Sequence, residues 1–271
     1  MSHVSGRTHL NRRFAALVTV LSLCGLFAVG GLVWPVLSTY LSGKRGGPQI
    51  TEPVFDRSKL KADLVTAGFS LGDEAYVRIF KREHLLELWM RGSDGRYALF
   101  RSYEICRYSG GLGPKLAEGD RQAPEGFYRV ARKQLNPNSR HHLAFNIGYP
   151  NAFDEELGRT GSFLMVHGGC TSIGCYAMTD AQIDEIYAVM EAALDRGQRE
   201  VDVSIFPFRM TETALQATSG SEWSPFWQNL KQGFDMFERE GAPPRVATCD
   251  GTYVFGGEAL APGCKPISGW V

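Results

Sequence analysis

From Phe14 to Leu41 the chain runs 28 positions without a charged side chain, broken only by Pro35. A helix needs about 20 apolar residues to cross a bilayer, so this segment is long enough to span one. Arg7, Arg12 and Arg13 precede it, and the positive-inside bias keeps the N-terminus cytoplasmic and sends the remainder across. Lys44 and Arg45 weaken that bias without reversing it. Two readings stay open for residues 1–45: an uncleaved signal anchor, and a signal peptide cut after the small-x-small stretch Ala28-Val29-Gly30. Leu23 stands before Cys24 where lipoprotein processing expects a small residue, which argues against lipidation. Either reading exports the body.

The chain of 271 residues has 29 basic and 29 acidic side chains, but five of the basic ones lie before Gly46, where there is no Asp or Glu. The body therefore carries 24 Lys/Arg against 29 Asp/Glu, a net charge of −5. A phosphate-backbone binder needs a cationic face, so nucleic acid is excluded as a partner. With 16 Phe, 10 Tyr and 5 Trp the body is core-forming rather than disordered. Export makes its five cysteines candidates for pairing. Cys249 and Cys264 flank a short C-terminal unit and form the most natural bridge, contributing about 3 kcal/mol on the chain-entropy estimate. Cys106 with Cys170 is a further option, which leaves Cys175 as the odd thiol.

Residues 46–74 read as a Gly/Pro-rich linker and a short helix, capped by Ser58, stopped by Gly68, with Leu60, Leu64 and Val65 on one face. Strand-like segments follow at Tyr76–Arg82, Leu85–Arg91 and Tyr97–Cys106, the third with Tyr97, Leu99, Arg101, Tyr103 and Ile105 on one face. Leu143–Ile147 and Ser162–Val166 add two more. Thr179-x-x-Gln182 is a capping box that opens a helix carrying Ile183, Ile186, Tyr187, Met190 and Leu194, with Gly197 as its stop. Val201, Val203 and Ile205 alternate behind it. A last helix from Ser224 to Arg239 carries Phe226, Trp227, Leu230, Phe234 and Phe237, a stripe read as core packing. The fold class is mainly β with flanking helices (α+β). Residues 75–210 form its main domain, and 211–271 a C-terminal helix with a small disulfide-closed β-element.

Chemistry concentrates between Met165 and Asp180. A strand delivers His167 into a Gly-rich turn, and Cys175 follows Gly174 shortly before the capped helix. Imidazolium and a helix N-terminus both lower a thiol's pKa, so Cys175 is expected to be an activated nucleophile for acyl transfer through a thioester. Backbone N–H groups in the turn could bind an oxyanion. The competing readings are a zinc site from His167, Cys170 and Cys175, which lacks a fourth ligand, a Cys170–Cys175 disulfide, and an inert buried pair. A papain-like protease is rejected because its Cys precedes its His.

The segment His167-Gly168-Gly169-Cys170-Thr171-Ser172-Ile173-Gly174-Cys175-Tyr176-Ala177-Met178-Thr179 resembles the L,D-transpeptidase catalytic-domain family, in a compact Gram-negative variant with the pattern H-G-x-C-x-S-x-G-C-[FY]-A-M-T. Ser109-Gly-Gly-Leu-Gly-Pro-Lys115 and Pro124-Glu-Gly-Phe-Tyr128 resemble its second block, and the likeness spans roughly residues 75–235. The resemblance implies a β-sandwich or barrel core and a periplasmic enzyme. Its expected activity is cysteine-dependent acyl transfer on peptidoglycan stem peptides, with attack at the L-centre of diaminopimelate and no metal or organic cofactor. It implies Cys175 as nucleophile and His167 as base, with Ser172 orienting His167 or lining the site. The Gly174 and Cys175 N–H groups would bind the oxyanion. Gly168, Tyr176, Lys115 and Arg159 are the expected substrate contacts. Arg159 stands in for an arginine that the commoner branch has where this chain has Ala177, and Ile173 likewise replaces a histidine. Alternatives are a hydrolase that releases lipoprotein from peptidoglycan with the same Cys–His machinery, and a non-catalytic wall-binding module. The expected partners are stem peptides, peptidoglycan-linked lipoprotein, and the inner membrane through an uncleaved N-terminal segment.

Overall fold

Six consecutive residues, Ala75–Phe80, are buried without exception, which a strand achieves only when both its faces are covered. This strand, β1, is the middle of a five-stranded sheet in the computed structural model, which describes residues 55–269. The apolar run 14–41 and the linker through Val54 lie outside the described residues. β1 pairs antiparallel with β2 (Leu85–Arg91) and parallel with β10 (Glu200–Phe206). β3 (Tyr97–Glu104) and β5 (Gly126–Ala131) close the two edges, in the order β3-β2-β1-β10-β5. A second five-stranded sheet runs β4-β9-β8-β7-β6. Its strands are β4 (Arg107–Tyr108), β6 (Leu135–Ser139), β7 (His142–Asn146), β8 (Met165–His167) and β9 (Tyr176–Ala177).

Alternation along β1 divides its side chains between two cores. Val77 and Ile79 meet Phe145, Val166 and Tyr176 of the second sheet, together with Leu60 and Leu64 of α1 (Arg57–Thr66). Ile183, Ile186 and Met190 of α3 (Asp180–Asp195) close that core. Phe80, with Phe127 and Phe206, faces Trp227 and Leu230 of α5 (Ser224–Glu240). The same apolar cluster includes Val246, Tyr253 and Phe255 from β11 (Val246–Cys249) and β12 (Thr252–Phe255), which with β13 (Lys265–Pro266) form a three-stranded sheet. The aromatic stripe of α5 is thus core. The molecule is mainly β with flanking helices, as the sequence led us to expect, and its two five-stranded sheets share the first of these cores.

Local chemistry explains the boundaries. Thr179 caps α3 and Gln182 reaches back to the Thr179 N–H (3.0 Å), while Gly197 beyond its end adopts φ +118°. At α1 the cap is Asp56 rather than Ser58, because the Asp56 carboxylate accepts from the N–H groups of Ser58 and Lys59. Val65 lies off the Leu60–Leu64 stripe and is 71% exposed. In β3 a bulge opposite Leu88/Trp89 breaks the expected alternation. Phe100 turns inward onto Phe69, and Leu99 is left 44% exposed. Two short helices, α2 (Ala152–Glu156) and α4 (Glu212–Ala217), and the strands β5, β6 and β9 were not foreseen.

Candidate active site

β8 and β9 are parallel neighbours, with Val166 beside Tyr176 and His167 beside Ala177. That register, carried one residue back, sets Cys175 beside Met165. Side-by-side residues project to one face of a sheet and successive residues to opposite faces. His167 and Cys175 therefore share a face, one pleat apart, while Val166 and Tyr176 take the other. The first face is a cleft: His167 and Cys175 line an open cavity of about 540 Å³ together with His141, Phe163, Met165 and Arg107. The second is core. Tyr176 is 1% exposed and its hydroxyl donates to the Pro124 carbonyl (2.7 Å), so it cannot contact substrate as expected.

His167 is buried, and its Nδ1 lies 2.6 Å from the carbonyl oxygen of Gly168. A carbonyl only accepts, so Nδ1 carries the proton and Nε2 keeps its lone pair for use as a base. Gly168 contributes this carbonyl and lines no part of the cleft. A Cβ there would sit 2.5 Å from Asp180 Oδ1 and 3.0 Å from the His141 carbonyl. The His141 ring lies against that of His167, centroids 4.6 Å apart. Burial lowers the His167 pKa below its usual value, and the charge of His141 adds to the effect, opposed by the Gly168 carbonyl.

The Cys175 thiol is half-buried and donates to the Phe163 carbonyl at 3.6 Å. Its pKa is raised by burial, with the Met165 backbone and the Lys115 ammonium pulling the other way. This corrects the expected activation by imidazolium and a helix start. Strand β9 separates Cys175 from the cap of α3, and burial disfavours the charged form of both the thiol and the imidazole.

Ser172 does not touch His167. Its Oγ accepts from Cys175 N–H (2.9 Å) and donates to the Cys175 carbonyl (2.6 Å), bracing the Cys175 backbone and lining the cleft. The Gly174 N–H donates to Ser109 Oγ at 2.8 Å. Both expected oxyanion donors are thus already engaged by hydroxyls, a second correction. Arg159 is a third: it is 9% exposed, paired with Asp154 at 2.9 Å and set over the rings of Phe153 and Phe226. It belongs to the interior, close to strand β8 in sequence but turned from the cleft. Lys115 does border a smaller cavity of about 190 Å³ beside Cys175, with its ammonium held by Asp120 and the Ala117 carbonyl.

Disulfides join Cys106 to Cys170 and Cys249 to Cys264, and Cys175 is the free thiol among the described residues. Cys170 is therefore not available to the zinc set considered above, nor to a bridge with Cys175. Sequence reasoning missed Arg107, Arg121, His141, Ser109 and Phe163, all of which border the site. The Cys106–Cys170 option was the one available signal, since it draws Arg107 to the loop between β8 and β9.

Comparison with known proteins places this chain in a family. Residues 74–205 match the L,D-transpeptidase (YkuD) catalytic domain. The Escherichia coli (strain K12) protein named "Putative L,D-transpeptidase YafK" is 50% identical over 184 residues, 68% of this chain and 74% of that one. The chain belongs to the L,D-transpeptidase catalytic-domain family. Similar solved structures include the helical cell shape determining protein Pgp2 (K307A mutant) from Campylobacter jejuni. It has 20% identity and a TM-score of 0.40, over 69% of this chain and 68% of that one. Bd1075 of Bdellovibrio bacteriovorus has 19% identity and a TM-score of 0.34, over 62% and 61% respectively.

Proposed function

We propose that this protein is a cysteine acyltransferase acting on peptidoglycan stem peptides outside the cytoplasm. The observation that carries the reading is the shared face of β8 and β9, which presents a half-buried thiol and an imidazole with a fixed tautomer to one open cleft. His167 Nε2 takes the Cys175 proton as sulfur attacks the carbonyl at the L-centre of diaminopimelate. Collapse of the tetrahedral adduct expels D-alanine, whose nitrogen takes the proton back from His167, and a thioester remains. An acceptor then attacks the thioester, gives its proton to His167, and the thiol is restored. Two disulfides in the body and the apolar segment 14–41 support export to the periplasm.

Openness at the thiol favours a second reading, with water as acceptor and release of peptidoglycan-linked lipoprotein. Cys175 borders two solvent-open cavities, and the flanking Phe163 and Ile173 are 71% and 84% exposed. The test incubates the full chain and its Cys175→Ala variant with peptidoglycan that carries covalent lipoprotein, and identifies fragments by mass spectrometry. New stem-to-stem dimers with free D-alanine are expected. Released lipoprotein ending in unmodified lysine, without dimers, would assign hydrolysis. Identical digests from both proteins would remove the catalytic reading and leave a wall-binding module.

A further inference from the structure

The imidazole of His167 is held by a hydrogen bond at one nitrogen, where Nδ1–H meets the Gly168 carbonyl at 2.6 Å. A ring fixed in this way can still pivot about that bond, and pivoting would swing Nε2 toward or away from Cys175. Packing against the face of the ring removes that freedom, and here the group packed there is a second histidine.

The hairpin of β6 and β7 supplies it. Ser139 of β6 pairs with His142 of β7, so Arg140 and His141 are the two residues of the tip. The register shifts between Asn136 and Ser139, and an irregularity of this kind bends a strand and re-aims its side chains. Three contacts fasten the hairpin beside the cleft. Ser139 Oγ accepts from the His141 N–H at 3.1 Å, His142 Nε2 lies 2.8 Å from Asp184 Oδ1 of α3, and the Leu143 carbonyl accepts from Gly168 N–H at 3.1 Å. Gly168 lets the tip come close, since a Cβ there would stand 3.0 Å from the His141 carbonyl.

So placed, the His141 ring lies on that of His167 with centroids 4.6 Å apart and planes 31° from parallel, within the range of paired aromatic rings. His167 is 3% exposed, whereas His141 is exposed and borders the same cavity. Among the described residues the His141 side chain makes no hydrogen bond and no ion pair. The α3 carboxylates are engaged elsewhere, Asp180 by Gly169 N–H and Asp184 by His142. Contact with the face of His167 is thus not a by-product of pairing to another group.

We propose that His141 is a positioning residue: its ring, presented by the β6–β7 hairpin, clamps the face of the His167 imidazole and keeps Nε2 directed at Cys175. This rests on the acyl-transfer reading above and adds to it a residue from outside the segment that carries His167 and Cys175. The contact also couples two charges. Imidazolium rings face to face repel, so the clamp is firm while at least one ring is neutral and loosens in acid. The other titratable or charged groups around His167 are Cys175, Arg107 of β4 in the same cavity, and Asp180 behind the Gly168–Gly169 turn.

The test follows alkylation of Cys175 by iodoacetamide, mapped by peptide mass, in the full chain in detergent. It compares the wild type with His141→Ala, His141→Phe and His167→Ala, the last giving the rate without the base. Alkylation draws on the Cys175–His167 pair but needs no peptide, so it judges the clamp whether or not acyl transfer holds. At pH 8, His141→Ala is expected to slow the reaction about two- to tenfold, the fold-change of an aromatic-pair contact. His141→Phe keeps a ring and loses both nitrogens, and should restore the rate to within about twofold of the wild type. The acid limb should move to higher pH in both, because the charge of His141 is gone from each. On a stem tetrapeptide the same order should appear in kcat, with KM unchanged. Equal rates for the wild type and either His141→Ala or His167→Ala would overturn the proposal. So would a His141→Phe chain as slow as His141→Ala, since a nitrogen rather than the ring face would then matter, or a tetrapeptide loss confined to KM. If alkylation follows the expected order while the wild type turns over no tetrapeptide, the clamp stands and acyl transfer fails.

Discussion

At the scale of single residues, His167 and Cys175 are opposed in what burial does to them: the imidazole is made a weaker base and the thiol a weaker acid. At neutral pH both are uncharged. Activity in kcat/KM should therefore rise with pH on a limb whose midpoint lies below the ordinary imidazole value, then level off through neutrality. His141, whose ring lies against His167, disfavours a second positive charge there. Its replacement by Gln removes that repulsion, so the acid limb should move to higher pH, which a pH–rate profile of the two proteins would measure. An unchanged limb would mean that the two rings are not electrostatically coupled.

Arg159 shows how far sequence proximity misleads. It precedes strand β8, yet its guanidinium lies on Asp154, whose carboxyl is pushed up to about 6 by burial despite that pairing. Arg159→Gln should destabilise the fold by about 3 kcal/mol while leaving KM unchanged, because one partner of a buried pair is lost. The penalty should be larger at pH 8 than at pH 5, where Asp154 becomes protonated and needs its partner less. Denaturant melts at the two pH values would check this. The motif made His167 and Cys175 legible in the sequence as a candidate pair, and the pairing of β8 with β9 puts them on one face. The direction of Tyr176 was also implicit, because it alternates with Cys175, but only a paired strand β9 makes that alternation apply.

Among the elements, the long loop between β4 and β5 forms the cleft wall, and a buried ionic knot holds it. Lys81, at the end of β1, donates to the Gly113 and Ala123 carbonyls, both at 2.9 Å. Glu125 pairs with Lys81 at 3.0 Å and accepts from Gly113 N–H and from the Trp227 indole of α5. Glu125→Gln leaves the Lys81 ammonium buried without its counter-charge, so a loss of about 3 kcal/mol is expected, with a lower kcat/KM as the wall loosens. Full stability with normal kinetics would show that the knot is dispensable. Helices with strong local signals were legible, α3 through its capping box and α5 through its aromatic stripe. The bulge in β3 and the two-residue strands β4 and β9 were not, because long-range pairing creates them and no local pattern announces them.

Across the whole molecule, the C-terminal unit and the central sheet share one apolar cluster. Phe127 of β5 meets Tyr253 and Phe255 of β12 at ring separations of 5.2 Å in both cases. Gly233 of α5 fits against the same rings, and a Cβ there would come within 2.5 Å of Phe127 and of Phe255. The Cys249–Cys264 bridge therefore closes an element that supports β5, the strand on which the cleft-wall loop lands. Fold class and the Cys–His pair are legible in the order of residues alone; the wall, the arginines and the second histidine depend on the pairing of distant strands. The most direct measurement is the intact mass of the full chain, acid-quenched during turnover of a stem tetrapeptide. A gain equal to the peptide less D-alanine, mapped to Cys175 and absent from Cys175→Ala, is the expected result. No gain with Cys175 confirmed as a reduced thiol, or an adduct on any other residue, would contradict the assignment of Cys175 as the acyl-carrying nucleophile.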